Sequence, residues 1–342
     1  MKPQTQLLSA CPKIRLRVAQ ATRLCRPATR RTERERWFET KETVFSQRCA
    51  PSFRLAGRQP GRASRPRYPY LAAAALFRPM LGFLLLIANG WSGAGHAQPA
   101  PSPPLVHAHA HNDYVHKRPL LDALDHGICS VEADIFLVED KLLVAHNRQD
   151  VKPERTLQAL YLDPLRERVR RNGGRVFPGG PEFNLLIDLK TDWHNSYPAL
   201  RSVLTNYGGM LSTFSNGAQQ EKAVTVIISG NRAKEMFDGE AVRFAAYDGL
   251  LADLDSSAAD WIPWISSSWS PTFQWRGKEA MPEEEVTRLK AIVSKAHTQG
   301  RRVRFWGAPD TENFWKAMRA ADVDLINTDD LAGVERFLRS LE

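Results

Sequence analysis

The chain has 342 residues, with 47 Lys and Arg against 38 Asp and Glu, and a formal net charge of +9. The positive charge lies at the start of the chain: residues 1–70 hold 17 Lys and Arg against 4 Asp and Glu, whereas residues 98–342 sum to −5. The acidic balance of the C-terminal part argues against a nucleic-acid-binding surface there. A disulfide scaffold and CxxC zinc sites are excluded, because only the last of the four cysteines lies beyond the basic segment: Cys11, Cys25, Cys49 and Cys129.

Residues 1–79 form a basic leader with scattered proline and no sustained apolar period, which predicts disorder. An apolar run begins at Met80 and gives way to small residues up to Ala97. This is the pattern of a secretory signal peptide with its cleavage site at 80–97, and it predicts export to the periplasm or the exterior. Because such signals normally open a chain, we favour a translation start near Met80. An Arg-rich organellar transit segment is the alternative.

Residues 98–104 form a Pro-rich linker, which leaves 105–342 for the folded domain. This length suits one β/α barrel, which typically needs about 250 residues. The apolar run from Met80 is shorter than the roughly 20 residues of a membrane span. The domain shows no extended basic amphipathic helix, so we expect no stable membrane anchor after cleavage.

Strand and helix patterns alternate along the domain. Strands are predicted at 105–111, 129–138, 141–146, 183–190, 223–229, 245–254, 261–267, 302–306 and 323–328. Helices are predicted at 118–125, 163–171, 197–207, 282–299, 311–320 and 331–341. Nearly continuous apolar strands between helices predict a parallel sheet, and eight such units close a TIM-like (β/α)8 barrel. An open doubly wound sheet is the alternative. The sequence has no glycine-rich nucleotide-binding motif.

Charged residues interrupt two of the apolar strands in pairs. Glu132 and Asp134 are two residues apart, as are Asp188 and Lys190, so each pair projects from one face of its strand. Burying such carboxylates is costly unless they bind a cation or pair with charge. Three carboxylates form an all-oxygen site suited to one Mg²⁺ or Ca²⁺. The neighbouring lysine can neutralise a phosphate.

Histidines end two further strands. They are His111 and His146. An imidazole side chain ordinarily has a pKa of about 6.5, which suits a general acid and a general base acting on one phosphorus. Trp306 also ends a strand, and Ser229, Asn231 and Asn327 are further candidates for substrate contact. For Asn327 and Asp329 we prefer a role in capping the last helix. His107 and His109 are expected to fill the barrel or support the site.

The ordered set resembles the phospholipase-C-like phosphodiesterase superfamily, which includes glycerophosphodiester phosphodiesterases, bacterial phosphatidylinositol-specific phospholipase C and venom sphingomyelinase D. That set is His111, Glu132-x-Asp134, His146 and Asp188-x-Lys190. Five short segments are similar in sequence to the branch named for altered inheritance of mitochondria protein 6. They are HNDY at 111–114, SVEADIFLV at 130–138, LLVAH at 142–146, RFWGAPD at 304–310 and INTDDL at 326–331.

The resemblance implies a TIM-like barrel with one divalent metal held by Glu132, Asp134 and Asp188. It implies His111 and His146 as the acid and base, Lys190 on a phosphate oxygen, and Trp306 as a wall of the cleft. We add Asn112, which stands where glycerophosphodiesterases carry the arginine of H-R-G. Their E-N-T is also absent here, and the third ligand is an aspartate, as in the sphingomyelinase branch.

We therefore predict a metal-dependent phosphodiesterase that cleaves a small or lipid-derived phosphodiester, of the glycerophosphodiester or phospholipid head-group type. Attack by a substrate hydroxyl to give a cyclic phosphate stays open. One alternative is an inactive barrel that binds a ligand on an aromatic platform formed by Trp261, Trp264, Trp269, Phe273 and Trp275, for which ordinary packing is our preferred interpretation. The other is a metal-dependent amidohydrolase that uses His107-x-His109-x-His111.

Overall fold

The computed structural model describes residues 102–256 and 261–342. The predicted leader, the signal peptide, most of the linker and the first three cysteines lie outside the described residues. Among the helices in the described part, none is long and apolar enough to cross a membrane.

Eight parallel strands form the centre of the domain. They are β1 (Ala108–Ala110), β2 (Ser130–Val138), β3 (Phe183–Leu189), β4 (Val224–Gly230), β5 (Ala245–Gly249), β6 (Trp264–Ser268), β7 (Arg302–Trp306) and β8 (Ile326–Thr328). Neighbours pair in the order β7-β6-β5-β4-β3-β2-β1-β8.

The two end strands of this order also meet. Arg304 and Leu325 form a parallel bridge, and the Leu325 N–H donates to the Val303 carbonyl at 3.2 Å. The sheet therefore closes on itself. This confirms the predicted TIM-like barrel, and the alternative prediction of an open doubly wound sheet is wrong.

Helices alternate with the strands. They are α1 (Leu121–Asp125), α2 (Asp163–Arg171), α3 (Trp193–Thr205), α4 (Trp269–Thr272), α5 (Glu283–His297), α6 (Glu312–Ala320) and α7 (Leu331–Arg339). A π-helical turn at Gln158–Leu162 leads into α2. Short 3-10 turns occupy Asp113–Val115, Arg148–Asp150, Lys234–Phe237 and Leu251–Asp255. Apolar strand residues such as Val131, Ile187 and Ile228 are fully buried beneath these helices.

The predicted strand at 141–146 is not a barrel strand. Residues Lys141–Val144 pair antiparallel with the end of β2 and form a hairpin with it. Its turn residues, Glu139 and Asp140, have φ of 49° and 61°, the left-handed values that a tight hairpin turn requires. The Ala145 N–H donates to the Asp134 carbonyl at 3.2 Å, so the hairpin returns the chain to the carboxyl end of the barrel strands.

The predicted strand at 245–254 is shorter than expected, because β5 ends at Gly249 and a 3-10 turn follows. The sequence pattern also missed a second hairpin, Thr213–Ser215 with Ala218–Gln220. Its strands have three residues each, too few to show a period.

Candidate active site

Three carboxylates converge at the carboxyl end of neighbouring strands. Asp134 on β2 pairs in register with Asp188 on β3, and Glu132 lies two residues earlier on β2. One carboxylate oxygen from each residue lies within 4.8 Å of the others. The strand parity read from the sequence therefore predicted the side-chain cluster correctly.

This cluster fits a divalent cation. Asp134 is 1% exposed, and its Oδ1 has no hydrogen-bond partner in the described structure. Burial, together with the charges of Glu132 and Asp188, raises the pKa of Asp134 to about 7. A buried carboxylate oxygen without a partner, among like charges, is a position where a cation is stabilising. The donors are all oxygen, as Mg²⁺ and Ca²⁺ prefer.

A glycine backbone approaches the carboxylate cluster closely. Gly230, the last residue of β4, has φ of 76°, and a Cβ there would collide with Asp188 Oδ1 and the Leu189 backbone. Only glycine permits this approach, which packs the end of β4 against the carboxylate.

Lys190 contacts two members of the cluster. Its Nζ lies 2.9 Å from Asp134 Oδ2 and 3.1 Å from Asp188 Oδ1. Burial opposes the charged form, but these two carboxylates raise the pKa of Lys190 above its ordinary value. The side chain is 27% exposed, so the ammonium both joins the cluster and faces the open end of the barrel.

A buried arginine lies beneath the cluster, and the sequence analysis did not include it. Arg304 Nη1 donates to Glu132 Oε2 at 2.9 Å and to His109 Nε2 at 2.9 Å. Burial favours the neutral acid, but the His109 contact and the Arg304 charge hold the pKa of Glu132 below its ordinary range. Burial and the same arginine lower the pKa of His109 to about 4, so this histidine is neutral and supports the site from below, as expected.

Asp248 forms an ion pair with the other terminal nitrogen of the Arg304 guanidinium. Its Oδ2 lies 3.6 Å from Arg304 Nη2 and accepts from Ser229 Oγ at 2.9 Å. Ser266 Oγ donates to Asp248 Oδ1 at 2.5 Å. Asn327 Oδ1 accepts from Arg304 Nη1 at 3.1 Å. Ser229 and Asn327 therefore belong to this polar layer inside the barrel, and their contact with a substrate stays a prediction.

His111 is held by an aspartate from the other end of the chain. Its Nδ1 lies 2.9 Å from Asp329 Oδ1. Asn112, with φ of 49°, directs its amide nitrogen to the same pair, 2.9 Å from His111 Nδ1 and 3.4 Å from Asp329 Oδ1. Burial opposes protonation of His111, but the Asp329 contact and the Glu132 charge together raise the His111 pKa.

The helix cap is one residue later than predicted. Asp330, not Asp329 or Asn327, caps α7 by accepting from the Gly333 N–H at 2.8 Å. The capping role expected for Asp329 and Asn327 is wrong, because the first turns its carboxylate to His111 and the second contacts Arg304.

His146 stands at the rim of the site on the hairpin that follows β2. Its Nδ1 lies 3.0 Å from the Tyr114 hydroxyl and 3.4 Å from Asp134 Oδ2. The same hydroxyl lies 2.6 Å from Asp134 Oδ2 and 2.5 Å from Asn112 Oδ1. Tyr114 also stacks on the His146 ring, with centroids 6.3 Å apart. The tyrosine thus links both histidine loops to a carboxylate of the cluster.

The remaining predicted residues lie at the surface. Trp306 ends β7 and is 45% exposed, and Asn231 is exposed after β4. The aromatic residues from Trp264 to Trp275 do not form an open platform. Trp269 stacks on Phe273 with centroids 4.2 Å apart, and its indole N–H donates to the Trp275 carbonyl. Ordinary packing, our preferred interpretation of this run, is confirmed for these buried rings.

The amidohydrolase alternative finds no site. His107 contacts the Asp324 carbonyl, while His109 contacts Ser130 and Arg304, so neither joins His111. Within residues 102–256 and 261–342, the cluster with metal-ligand geometry is the carboxylate triad.

The chain is similar in sequence to phosphodiesterase families. A model described as the AIM6-like phosphodiesterase domain matches residues 103–248, and one for the glycerophosphoryl diester phosphodiesterase family matches residues 302–332. Altered inheritance of mitochondria protein 6 from Eremothecium gossypii is 32% identical over 272 residues, which are 69% of this chain and 70% of that protein.

The chain belongs to the altered inheritance of mitochondria protein 6 family. This family is a branch of the glycerophosphodiester phosphodiesterase and phospholipase-C-like superfamily. A homologue from Arthroderma benhamiae is 28% identical over 258 residues, covering 66% of this chain and 82% of that protein.

The chain also shows a likeness to solved structures, each at low sequence identity, among them a glycerophosphodiester phosphodiesterase. One from Parabacteroides distasonis has a TM-score of 0.42 and 14% identity, covering 70% of this chain and 99% of that one. A phosphodiesterase from Oleispira antarctica, solved with its product sn-glycerol-3-phosphate, has a TM-score of 0.41 and 12% identity, covering 68% of this chain and 96% of that one.

Proposed function

We propose that this member of the altered inheritance of mitochondria protein 6 family is a metal-dependent phosphodiesterase that uses His111 and His146 as base and acid. The observation that supports this most strongly is the arrangement around Asp134. One carboxylate group belongs to the triad, contacts Lys190 at 2.9 Å, and is linked to His146 through Tyr114. Cation ligands, an anion-binding ammonium and a proton-transfer group therefore meet within hydrogen-bond distance.

Glu132, Asp134 and Asp188 would hold the divalent cation. A cation bound there supplies positive charge to the phosphoryl oxygens, where charge accumulates during displacement at phosphorus. Lys190 contributes a second positive charge from the open side of the cluster. Asn112 and Trp306, at the same end of the barrel, complete the walls that orient the phosphodiester.

His111 suits the role of general base. Its Nδ1 faces Asp329, which leaves Nε2 as the acceptor for the proton of the attacking oxygen and stabilises the imidazolium that results. The attacking oxygen belongs to water or to a hydroxyl of the substrate itself.

His146 suits the role of general acid. Its Nδ1 faces the Tyr114 hydroxyl, so Nε2 is directed away from this anchor and donates a proton to the leaving oxygen. The side chain is 57% exposed, which leaves room for a leaving group beside it.

The substrate class we propose is a glycerophosphodiester or a phospholipid head-group diester, handled as a small molecule. We also propose that the protein is exported, on the basis of the signal-like sequence at 80–97.

Hydrolysis of bis(p-nitrophenyl) phosphate by the full chain tests the reaction. Activity is measured with Mg²⁺, Ca²⁺ or EDTA for the wild type, His111→Ala, Glu132→Ala and the control His194→Ala, an exposed histidine on α3. We expect activity to require a cation and to fall about 10²–10⁴-fold in His111→Ala. Glu132→Ala should lose the cation-dependent activity, because a cation ligand is removed. The control His194→Ala should match the wild type.

Absence of hydrolysis with either cation, in folded protein and with glycerophosphodiester substrates as well, would overturn the proposal. It would favour the ligand-binding barrel instead.

A further inference from the structure

A cleft of about 460 Å³ opens beside His146. Tyr114 and His146 line it, together with Lys152 and Arg155 from the loop that follows the hairpin. The cleft therefore borders the group that we assign to leaving-group protonation.

The lining of this cleft is rich in positive charge and hydrogen-bond donors. Lys152 is exposed, and the Arg155 guanidinium is fixed by donating from Nη2 to the Tyr114 carbonyl at 2.6 Å. In the described part of the chain neither forms an ion pair. Asp150, the carboxylate on this wall, accepts from Asn147 at 3.0 Å. His116 Nε2 is buried at the cleft without a hydrogen-bond partner among the described residues.

Apolar side chains lie between these polar groups. Val115, Val144 and Val151 contribute to the lining, and Val115 is 64% exposed. An exposed valine beside an exposed lysine and a fixed guanidinium suits a ligand with a short carbon skeleton and a charged end.

The size of the cleft indicates which reactant it receives. A water molecule occupies about 30 Å³, so an attacking water needs no cleft of this volume. An organic alcohol does need one, and the cleft volume lies within the usual range of about 300–1,000 Å³ for small-molecule sites.

We propose that this cleft binds the alcohol that leaves the phosphodiester, and that this alcohol carries an anionic group held by Lys152 and Arg155. The inference rests on the proposed phosphodiesterase function and narrows its substrate class to diesters with an acidic leaving group, either a carboxylate or a second phosphate. His146 would protonate the bridging oxygen while the anion lies against Lys152 and Arg155.

Three diesters that differ only in the leaving alcohol test this: sn-glycero-3-phosphoglycerol, sn-glycero-3-phosphoglycerate and the terminally phosphorylated form of the first. Wild type is compared with Lys152→Met and with Lys141→Met, a lysine on the same hairpin that does not line the cleft. We expect wild type to prefer the two acidic diesters in kcat/KM, and Lys152→Met to lower that preference about fivefold, as for a partly exposed ion pair. Lys141→Met should keep it.

Binding of D-glycerate and of glycerol to the full chain, measured by calorimetry, gives a readout that does not depend on turnover. We expect D-glycerate to bind more tightly than glycerol, and Lys152→Met to remove the difference while Lys141→Met keeps it. Hydrolysis of all three diesters at equal kcat/KM, or identical D-glycerate binding by the two variants, overturns the inference and leaves the phosphodiesterase function intact. Inactivity on every diester overturns the function itself, and the binding result then decides the cleft separately.

Discussion

His111 and Asp329 are separated by 218 positions in the chain, yet His111 Nδ1 lies 2.9 Å from Asp329 Oδ1. Barrel closure produces this contact, because β8 pairs with β1 and each residue directly follows its strand. The structure thus assigns each histidine a partner: Asp329 for His111, and Tyr114 for His146.

Replacing Asp329 should move the pH dependence of the reaction. Burial alone would lower the His111 pKa, and the Asp329 contact raises it. A base must be neutral, so kcat/KM of the wild type rises as pH passes the His111 pKa. We expect Asp329→Asn to shift this acidic limb to lower pH and to reduce the plateau about tenfold, as when a supporting hydrogen bond is lost.

A kcat/KM profile between pH 5 and pH 9 measures both effects. Asp330→Asn is the matched control, because this neighbour caps α7 and asparagine caps equally well. An unchanged limb in Asp329→Asn would contradict the assignment of His111 as the base.

Tyr114→Phe should reduce turnover more than binding. The change removes a hydroxyl that lies 3.0 Å from His146 Nδ1 and 2.6 Å from Asp134 Oδ2, while the ring stack remains. We expect kcat to fall about tenfold, the lower end for loss of a supporting group, with KM little changed. Tyr207→Phe, which loses a phenol contact to Asp163 on α2, is the control. A larger change in KM than in kcat would mean that Tyr114 acts on substrate binding.

Arg304→Met should destabilise the barrel. The guanidinium is 3% exposed and lies between Glu132 and Asp248, so its removal leaves Glu132 without its arginine partner and Asp248 with Arg232 alone, 3.8 Å away. We expect the free energy of unfolding in urea to fall by about 3–5 kcal/mol. Arg170→Met, which breaks a fully exposed pair with Glu167, should leave the free energy of unfolding close to that of the wild type. Equal losses in the two variants would contradict this account.

Cation binding should depend on pH through Asp134. Its raised pKa of about 7 means that, without cation, the folded state is destabilised as pH rises to 7, because the unfolded chain ionises first. A cation reverses this by favouring the carboxylate. We expect Mg²⁺ or Ca²⁺ to raise Tm, and to raise it more at pH 8 than at pH 6.

Thermal unfolding with each cation and with EDTA measures the effect. Asp188→Asn should abolish it, whereas Asp192→Asn, two residues beyond Lys190 and outside the triad, should keep it. A Tm that rises equally in both variants would place the cation elsewhere.

The sequence predicted those parts of the site that lie within single strands. Two-residue spacing placed Glu132 beside Asp134, and their β3 counterpart Asp188 followed from parallel pairing. Partners that depend on closure were not predictable in this way. Arg302, Arg304 and Trp306 share one face of β7, and no pattern in the strand shows that the middle residue contacts Glu132. Asp329 and Asp330 are adjacent acids before a helix, and only the backbone geometry decides which of them is the cap.

The hairpin at Lys141–Val144 and the loop after it have a consequence for divergence within the family. His146, Lys152 and Arg155 all lie on this one excursion, which pairs with β2 alone and takes no part in closing the barrel. Under the proposed function, insertions or exchanges there would alter which leaving group is accepted while the carboxylate triad on β2 and β3 stays in place. Exchanging residues 139–155 between relatives would therefore transfer substrate preference as a unit.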